Sequence, residues 1–430
     1  MQFFISEIAH KIIGNIFTNI RIAAVDEKYK KEGEIDYAEF CTVYPTKVVF
    51  GKDMQKEAGK LVRELGVTKV FLVYGGGSVI RSGLLDEIKK SLDEEHIFYE
   101  EFGGVKPNPR LSFAREGVEK AIAFGAELIL AVGGGSAIDT AKGIAIGAAN
   151  PGTDIWEFWK NKKELKKALP VGTVLTISAA GSEMSNSAVL TDEETQDKSG
   201  IGSDLIRPKF AIMNPKLTYT LPKYQLTCGI VDIFMHTIER YFTPVHGNEL
   251  TDEIAEGLMR TLIRNAAKAY ENQEDYDAMS EIMWCGSISH NGITGLGRPK
   301  DFLCHKLGHQ LGAKFDEAHG ATLSAVWGSW ARYVYHLDEA RFANYGRKVW
   351  NIDEENDEKT AVAAIEKTEE FFRSLHMPTC LGDMKMGVQP DEVLKEMAGK
   401  ATAGDTMKVG AFQKMGAKEL YEIYKKANHR

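Results

Sequence analysis

From Tyr44 onward, apolar and polar positions fall into blocks that alternate between strand and helix patterns. VVFG (48–51) is a short strand, and residues 53–65 have the spacing of an amphipathic helix. VFLVY (70–74) is a continuous apolar run that enters GGGS, which predicts a strand buried on both faces. Residues 79–92 place Val79, Leu84, Leu85, Ile88 and Leu92 on one side of a helix. IFYEEF (97–102) predicts a strand and residues 110–124 a helix. LILAV (128–132) is a second buried strand, again ending in GGGS, and 137–149 is a helix of small residues. VLTIS (174–178) and FAIM (210–213) are further strands. Alternation of this kind predicts an α/β domain with a mostly parallel sheet covered on both faces.

After Pro222 strand patterns almost vanish. Helical patterns follow one another at 225–242, 249–271, 275–291, 300–313, 320–334, 338–349, 358–375, 390–400 and 416–427. The C-terminal half therefore reads as all-α. The expected organisation is an extension of unknown role at 1–40, an α/β domain at 41–220, and an all-helical domain at 221–430. Within the extension, MQFFISEIAHKIIGNIFTNI lacks a basic start and is interrupted by Glu7, His10 and Lys11. It reads as an amphipathic helix rather than a secretory signal. Residues 26–39 are strongly charged and read as a linker or exposed turn.

Composition narrows the function. The chain has 430 residues, 43% of them hydrophobic, with a formal net charge of −8. An acidic surface argues against nucleic acid or an anionic membrane as partner. No uninterrupted apolar stretch reaches the roughly 18–20 residues needed to span a bilayer. The five cysteines (Cys41, Cys228, Cys285, Cys304 and Cys380) are odd in number and widely spaced, without a CxxC. That pattern fits reduced thiols and a cytoplasmic protein.

Two glycine turns carry the first candidate chemistry. In VFLVYGGGS (70–78) and LILAVGGGS (128–136), glycines allow a bulky anion to approach the backbone, and the next helix offers free N–H groups. The sixth position of each turn is Ile80 or Ile138, so the GxGxxG fingerprint is missing. A single such turn is as easily a plain βα connection; two in one sheet favour a nucleotide. The first turn has no Asp or Glu to accept from a ribose 2′-hydroxyl, while Arg81 follows closely. That favours NADP(H) over NAD(H).

The second chemistry is a metal. Asp232 and His236 are four apart in a helical pattern, as are His305 and His309, and His319 follows ten residues later. Residues i and i+4 share a helix face, so each pair can reach one ion. A lone pair of this kind is more often a surface hydrogen bond; two pairs plus His319 reverse that. Spacing nominates Asp232, His236, His305 and His309, but any four of the five would serve.

The chain resembles the iron-containing (metal-dependent) alcohol dehydrogenases, and especially their butanol dehydrogenase branch. The likeness rests on AVGGGSAIDTAK (131–142), TISAAGSEMSNSAV (176–189), PKLTYTLPKYQLTCGIVDIFMHTIERYF (215–242), SISHNGITGLGR (287–298) and HKLGHQLGAKFDEAHG (305–320). It covers about residues 42–428. The resemblance implies metal ligands Asp232, His236, His305 and His319, and leaves His309 as a non-ligand beside nicotinamide and substrate. One carboxylate with three imidazoles suits Fe²⁺ or Zn²⁺ and admits Ni²⁺, Co²⁺ or Mn²⁺, without choosing among them; the resemblance favours Fe²⁺.

The resemblance further implies that Gly76 and Ser78 lie near the adenosine ribose and Asn108 near the adenine. Gly134, Gly135 and Ser136 would meet the pyrophosphate. Asp139, Thr176, Ser182, Lys198, Thr218 and Leu221 would line the nicotinamide half. Asp139 is equally well placed to cap the 137–149 helix. Lys198, in the polar stretch DEETQDKSGIG, would otherwise read as a solvated lysine. His309 and Asp139 are the candidate catalytic residues, with His309 handling a proton between alcohol and solvent.

The implied activity is hydride transfer between a nicotinamide and a primary alcohol or aldehyde of butanol size, in a homodimer, with 41–220 as the dinucleotide-binding α/β domain and 221–430 as the all-helical metal-binding and catalytic domain. Competing readings are a glycerol dehydrogenase-like polyol oxidation, a non-redox phosphohydrolase, and a non-catalytic binding protein. The phosphohydrolase reading lacks its adjacent His-Asp doublet, and the intact ligand set weighs against a vestigial site. Phe158, Trp159, Trp284, Ile293, Leu296 and Phe302 are candidate pocket walls, each equally eligible for the core. His290 is as well read as a hydrogen-bonded core histidine as a pocket residue.

Overall fold

The structure, a computed structural model, describes residues 40–430. The expectations for 1–39, an amphipathic helix and a charged linker, lie outside the described residues. The strands are β1 (Lys47–Phe50), β2 (Lys69–Gly75), β3 (Phe98–Val105), β4 (Leu128–Gly133), β5 (Val171–Leu175), β6 (Ser187–Asp192), β7 (Asp197–Gly202) and β8 (Phe210–Met213). Among them run α1 (Ala58–Glu64), α2 (Gly77–Arg81), α3 (Leu84–Glu94), α4 (Leu111–Phe124), α5 (Gly135–Ala149) and α6 (Trp156–Trp159). Then come α7 (Lys223–Tyr241), α8 (Glu249–Glu271), α9 (Tyr276–Asn291), α10 (Leu303–Phe315), α11 (His319–Val334), α12 (Glu339–Tyr345), α13 (Asp357–Ser374), α14 (Asp391–Ala401) and α15 (Ala417–Ala427). The fold is an α/β half with a parallel sheet followed by an all-helical half.

Six strands form the parallel sheet in the order β1-β8-β5-β4-β2-β3. The apolar runs feed both faces by strict alternation. Val70, Leu72 and Tyr74 of β2, with Leu128, Leu130 and Val132 of β4, pack against α1 and α3. Phe71, Val73, Ile129 and Ala131 pack against α4 and α5. The small residues of α5 admit close neighbours: a Cβ on Gly147 would lie 2.3 Å from Val118 of α4. Met283 of α9 joins the second of these cores, which seats the helical half against the sheet.

Chain order reverses between β2 and β4. After β2 the chain moves outward to β3, then crosses back to place β4 on the other side. Such a switch point opens a crevice beyond the C-terminal strand ends. Both glycine turns flank it, because β2 and β4 are neighbours.

The expected 79–92 helix is broken. Gly83 takes φ 77°, so α2 ends and α3 restarts. The antiparallel hairpin β6–β7 is absent from the sequence reading; its exposed polar turn hid the alternation in SAVLTD. The expected 338–349 helix is α12 followed by a π turn at Gly346–Trp350. Among the described residues, no helix is long and apolar enough to cross a membrane.

Candidate metal centre and cofactor cleft

Asp232 lies mid-way along α7, a helix buried along most of its length. His305 is in the first turn of α10. Asp316 then adopts φ 53° and ends that helix, so the chain turns and His319 opens α11. This reversal brings His319 back to Asp232. Side-chain ligand atoms of Asp232, His305 and His319 lie within 4.8 Å of one another. Asp232 Oδ1 is 3.8 Å from His305 Nε2, 3.7 Å from His319 Nε2 and 3.7 Å from His236 Nδ1. The His236 ring stacks on His305 with centres 4.6 Å apart. His309 lies 6.4 Å from His305 and 5.4 Å from His319 between ring centres, outside the group of three.

These residues fit a metal. Asp232 Oδ1, His236 Nδ1 and His305 Nε2 are buried without a hydrogen-bond partner, and His319 brings Nε2 to within 3.7 Å of the same Asp232 oxygen. Buried polar atoms are ordinarily paired, and a divalent cation answers the group. Glu239 adds a second buried carboxylate. Its Oε2 pairs with His305 Nδ1, and Oε1 accepts from the Cys304 N–H at 2.7 Å and the His305 N–H at 3.3 Å. A carboxylate behind a ligating imidazole fixes its ring and raises its basicity. Burial pushes the His305 imidazole down, but Glu239 and Asp232 outweigh it and hold it at about 9. The site thus favours positive charge, which a bound divalent ion supplies as the proton leaves. Glu239 was missed by sequence reasoning, yet Asp232, His236 and Glu239 fall at i, i+4 and i+7, one helix face.

His309 is pushed well below the ordinary histidine value by burial, with Lys198, His305 and Lys306 adding to the effect. It is therefore neutral at physiological pH, rather than poised at its midpoint. Of the candidate wall residues, Phe302 reaches the centre, 4.9 Å from His305 and 6.1 Å from His236 between ring centres. Phe158 and Trp159 belong to a core under the hairpin, and Trp284 is exposed. Ile293 and Leu296 are partly buried in the segment that follows α9. His290 meets Ser187 Oγ at 2.9 Å, and its ring stands edge to face with His236, centres 4.1 Å apart.

On the sheet side, Gly76 and Gly134 precede α2 and α5 in similar extended conformations. Gly134 and Gly135 leave little room: added Cβ atoms would lie 3.0 Å from Ile177 and 3.2 Å from Ala180. Ser136 is in the first turn of α5, and Ser78 in that of α2. The Arg81 guanidinium folds back over Gly77, where a Cβ would collide with it. Thr176 is tied by its N–H to Gly133 O at 3.0 Å, beside the second turn. Thr218 and Leu221 are joined through Gln273, whose amide donates to both carbonyls at 2.9 and 2.8 Å.

Asp139 does not cap its helix. Oδ1 accepts from Ser182 Oγ at 2.6 Å and Oδ2 from the Val189 N–H at 2.9 Å. Lys198, carried by β7, is buried instead of solvated and donates to Asn108 Oδ1 at 2.9 Å. Burial lowers it to about 8. Asn108 in turn donates to Asp316 Oδ1 at 2.8 Å, at the turn between α10 and α11. Asn108 and Lys198 are thus brought together at the boundary between sheet and helices.

A switch-point crevice facing a buried Asp–His centre defines a metal-dependent, dinucleotide-linked dehydrogenase. Comparison with known proteins gives the same class. Residues 45–215 match the iron-containing alcohol dehydrogenase model, and 227–428 match the C-terminal model of the Fe-containing alcohol dehydrogenase family. The chain is 38% identical over 385 residues to NADH-dependent butanol dehydrogenase A of Clostridium acetobutylicum, covering 89% of this chain and 98% of the relative. It is 38% identical over 341 residues to the NADPH-dependent aldehyde reductase YqhD of Escherichia coli, covering 79% and 87%. A solved structure of an NADH-dependent butanol dehydrogenase A from Thermotoga maritima superposes with TM-score 0.88 at 34% identity, covering 92% of this chain and all of that one. The chain belongs to the iron-containing alcohol dehydrogenase family. It is an NAD(P)-dependent alcohol dehydrogenase/aldehyde reductase.

Proposed function

We propose that this enzyme reduces aldehydes of butanal size, and oxidises the matching primary alcohols, using Fe²⁺ and preferably NADP(H). The observation that carries the reading is the ligand cluster of Asp232, His305 and His319, in which Asp232 Oδ1 and His305 Nε2 are buried and unpartnered. His236, stacked on His305, is the fourth ligand in this reading. The relatives named above divide between NADH and NADPH, so the nucleotide preference rests on the β2 turn. That turn, Tyr74 to Ser78, has no carboxylate, and Arg81 leans over it. A reduced, cytoplasmic homodimer is the setting we infer from the resemblance, in keeping with five free cysteines.

When bound, the metal polarises the substrate oxygen and the reduced nicotinamide supplies the hydride. The chain's own groups do the rest. The start of α5 binds the pyrophosphate through free N–H groups at Gly134, Gly135 and Ser136. Asp139, Thr176, Ser182, Lys198, Thr218 and Leu221 line the nicotinamide half; Asn108, expected near the adenine, is bonded to Lys198 and goes with that half instead, leaving Gly76 and Ser78 for the adenosine half. Glu239 holds the His305 ring in place. Phe302 gives the site an apolar edge, and an apolar wall discriminates each methylene by only about 1–3 kcal/mol. Broad chain-length acceptance follows. His309, neutral and outside the ligand group, carries the proton between the nascent alcohol and solvent.

The decisive experiment is a panel of aldehydes assayed with NADPH and with NADH after reconstitution with Fe²⁺ or Zn²⁺. Butanal reduction that is fastest with Fe²⁺ and NADPH is expected. No reductase activity with either metal would sink the reading; a clear NADH preference would overturn the nucleotide assignment alone. His309→Ala should keep full metal content and change the pH–rate profile. An unchanged profile would remove His309 from proton transfer.

A further inference from the structure

Lys142 of α5 has no exposed surface, and among the described residues it is one of the largest fully buried side chains. Its ammonium reaches a single segment. Its three N–H groups are shared among five oxygens: Ser182 O at 2.7 Å, Ser182 Oγ at 2.9 Å, Ser185 O at 3.0 Å, Ser185 Oγ at 3.3 Å and Ser187 O at 2.8 Å. No carboxylate touches it directly. A buried charge without an ion pair persists only where its surroundings are organised to receive it. Here the receiving group is the loop that leads from β5 into β6.

That loop touches both sides of the cleft. Ser182 donates to Asp139, and Val189 donates to the same carboxylate. Gly181 packs so tightly on α9 that a Cβ would lie 2.5 Å from Gly286 O and 2.8 Å from His290 Cβ. Ser178 O comes as close to Gly229, one turn before Asp232 on α7. A lysine ammonium can only donate, so the Ser182 oxygen must accept from it. The single Ser182 proton is then committed to Asp139 Oδ1. On the other side, Ser185 Oγ lies 3.2 Å from Ser187 Oγ, which meets His290. Burial lowers Lys142 to about 8, against the carboxylates of Asp139 and Glu183, so it stays largely charged at neutral pH.

We propose that Lys142 is a positioning residue for the nicotinamide half of the cofactor, acting by locking the 182–187 loop and directing the Ser182 hydroxyl onto Asp139. The proposal rests on the assignment of Asp139 and Ser182 to that half, made above. A purely structural lysine would affect only folding stability. A positioning lysine also changes nucleotide affinity and turnover in a chain that remains folded.

The test compares the wild-type holoenzyme with Lys142→Met, which keeps volume and removes the donors. Binding of NADPH and NADH is followed by nicotinamide fluorescence, alongside metal content, Tm and steady-state butanal reduction. Lys142→Met should retain its metal, weaken the Kd of the preferred nucleotide about tenfold, and lower kcat by roughly ten- to a hundredfold, the scale set by small misplacements of reacting groups. The KM for butanal should stay unchanged. A folded, metal-loaded Lys142→Met with Kd and kcat close to wild type would overturn the proposal. Should Lys142→Met fail to fold, Ser185→Ala decides by the same readings: a weakened Kd supports the proposal, and wild-type Kd and kcat overturn it. Wild-type protein that binds neither nucleotide would instead refute the proposed function itself.

Discussion

Glu239 stands behind His305 and sets the conditions under which that imidazole can act as a ligand. It is fully buried and holds both the ring and the backbone of α10's first turn. Loss of such an outer carboxylate typically costs about 10–100-fold in metal affinity. Glu239→Ala is expected to fall in that range by chelator competition, and affinity within twofold of wild type would dismiss the role. Lys142 makes a separate prediction about pH. Its folded value is about 8, below the ordinary lysine value of 10.5. The unfolded chain therefore holds the proton more tightly across that window. Stability due to this group rises as pH climbs through about 8 toward 10.5. Unfolding of wild type and Lys142→Met at pH 7 and pH 9.5 should show wild type gaining relative to the variant at the higher pH. Lys142, Glu239 and the buried state of Lys198 were not legible at this scale. A charged letter carries no sign of whether its side chain meets water or a loop folded over it.

Elements were far more legible, because periodicity is a local property. The apolar runs of β2 and β4, and the long helices after Pro222, follow directly from which side chains can share a face. The failures have equally local causes. Gly83 in the left-handed region split one helix, and a polar turn concealed the β6–β7 hairpin that carries Lys198. How closely elements approach is a different matter, and a glycine controls it at the metal centre. A Cβ on Gly320, one residue after His319, would lie 2.2 Å from Cys228 O on α7. Gly320→Ala must push α11 away from the helix that carries Asp232. Overpacking of this kind costs typically about 1–3 kcal/mol. Gly320→Ala should lower the Tm and also the bound metal per chain. Full metal occupancy would show that the two helices can part without disturbing the ligands.

For the whole molecule, a metal held at this centre would be a staple as well as a reagent. The residues that would hold it come from α7, α10 and α11, three helices that share the large helical core. An ion that binds the folded chain only stabilises it by about 4 kcal/mol at a thousand times its Kd. Stripping with a chelator should therefore lower the Tm, and Fe²⁺ or Zn²⁺ should restore it. Asp232→Asn, losing the carboxylate that faces all three imidazoles, should respond far less to added metal. An equal response in both proteins would place the stabilising ion elsewhere.

By itself the sequence determined the two-part architecture, the two glycine turns and five candidate ligands, since all of these follow from neighbours along the chain. The family likeness narrowed the five to four. Helical spacing pointed instead to His309, because His305 and His309 share a face of one helix. Only the tertiary structure showed the turn at Asp316, which ends α10 and carries His319 back to within reach of Asp232 and His305. It alone placed the β2 and β4 turns side by side at the switch point, and folded a serine-rich loop around Lys142. The physical reason is the same in each case. Periodicity fixes which face a residue occupies within its own element, whereas the meeting of residues from different elements depends on turns and on how closely backbones can pack.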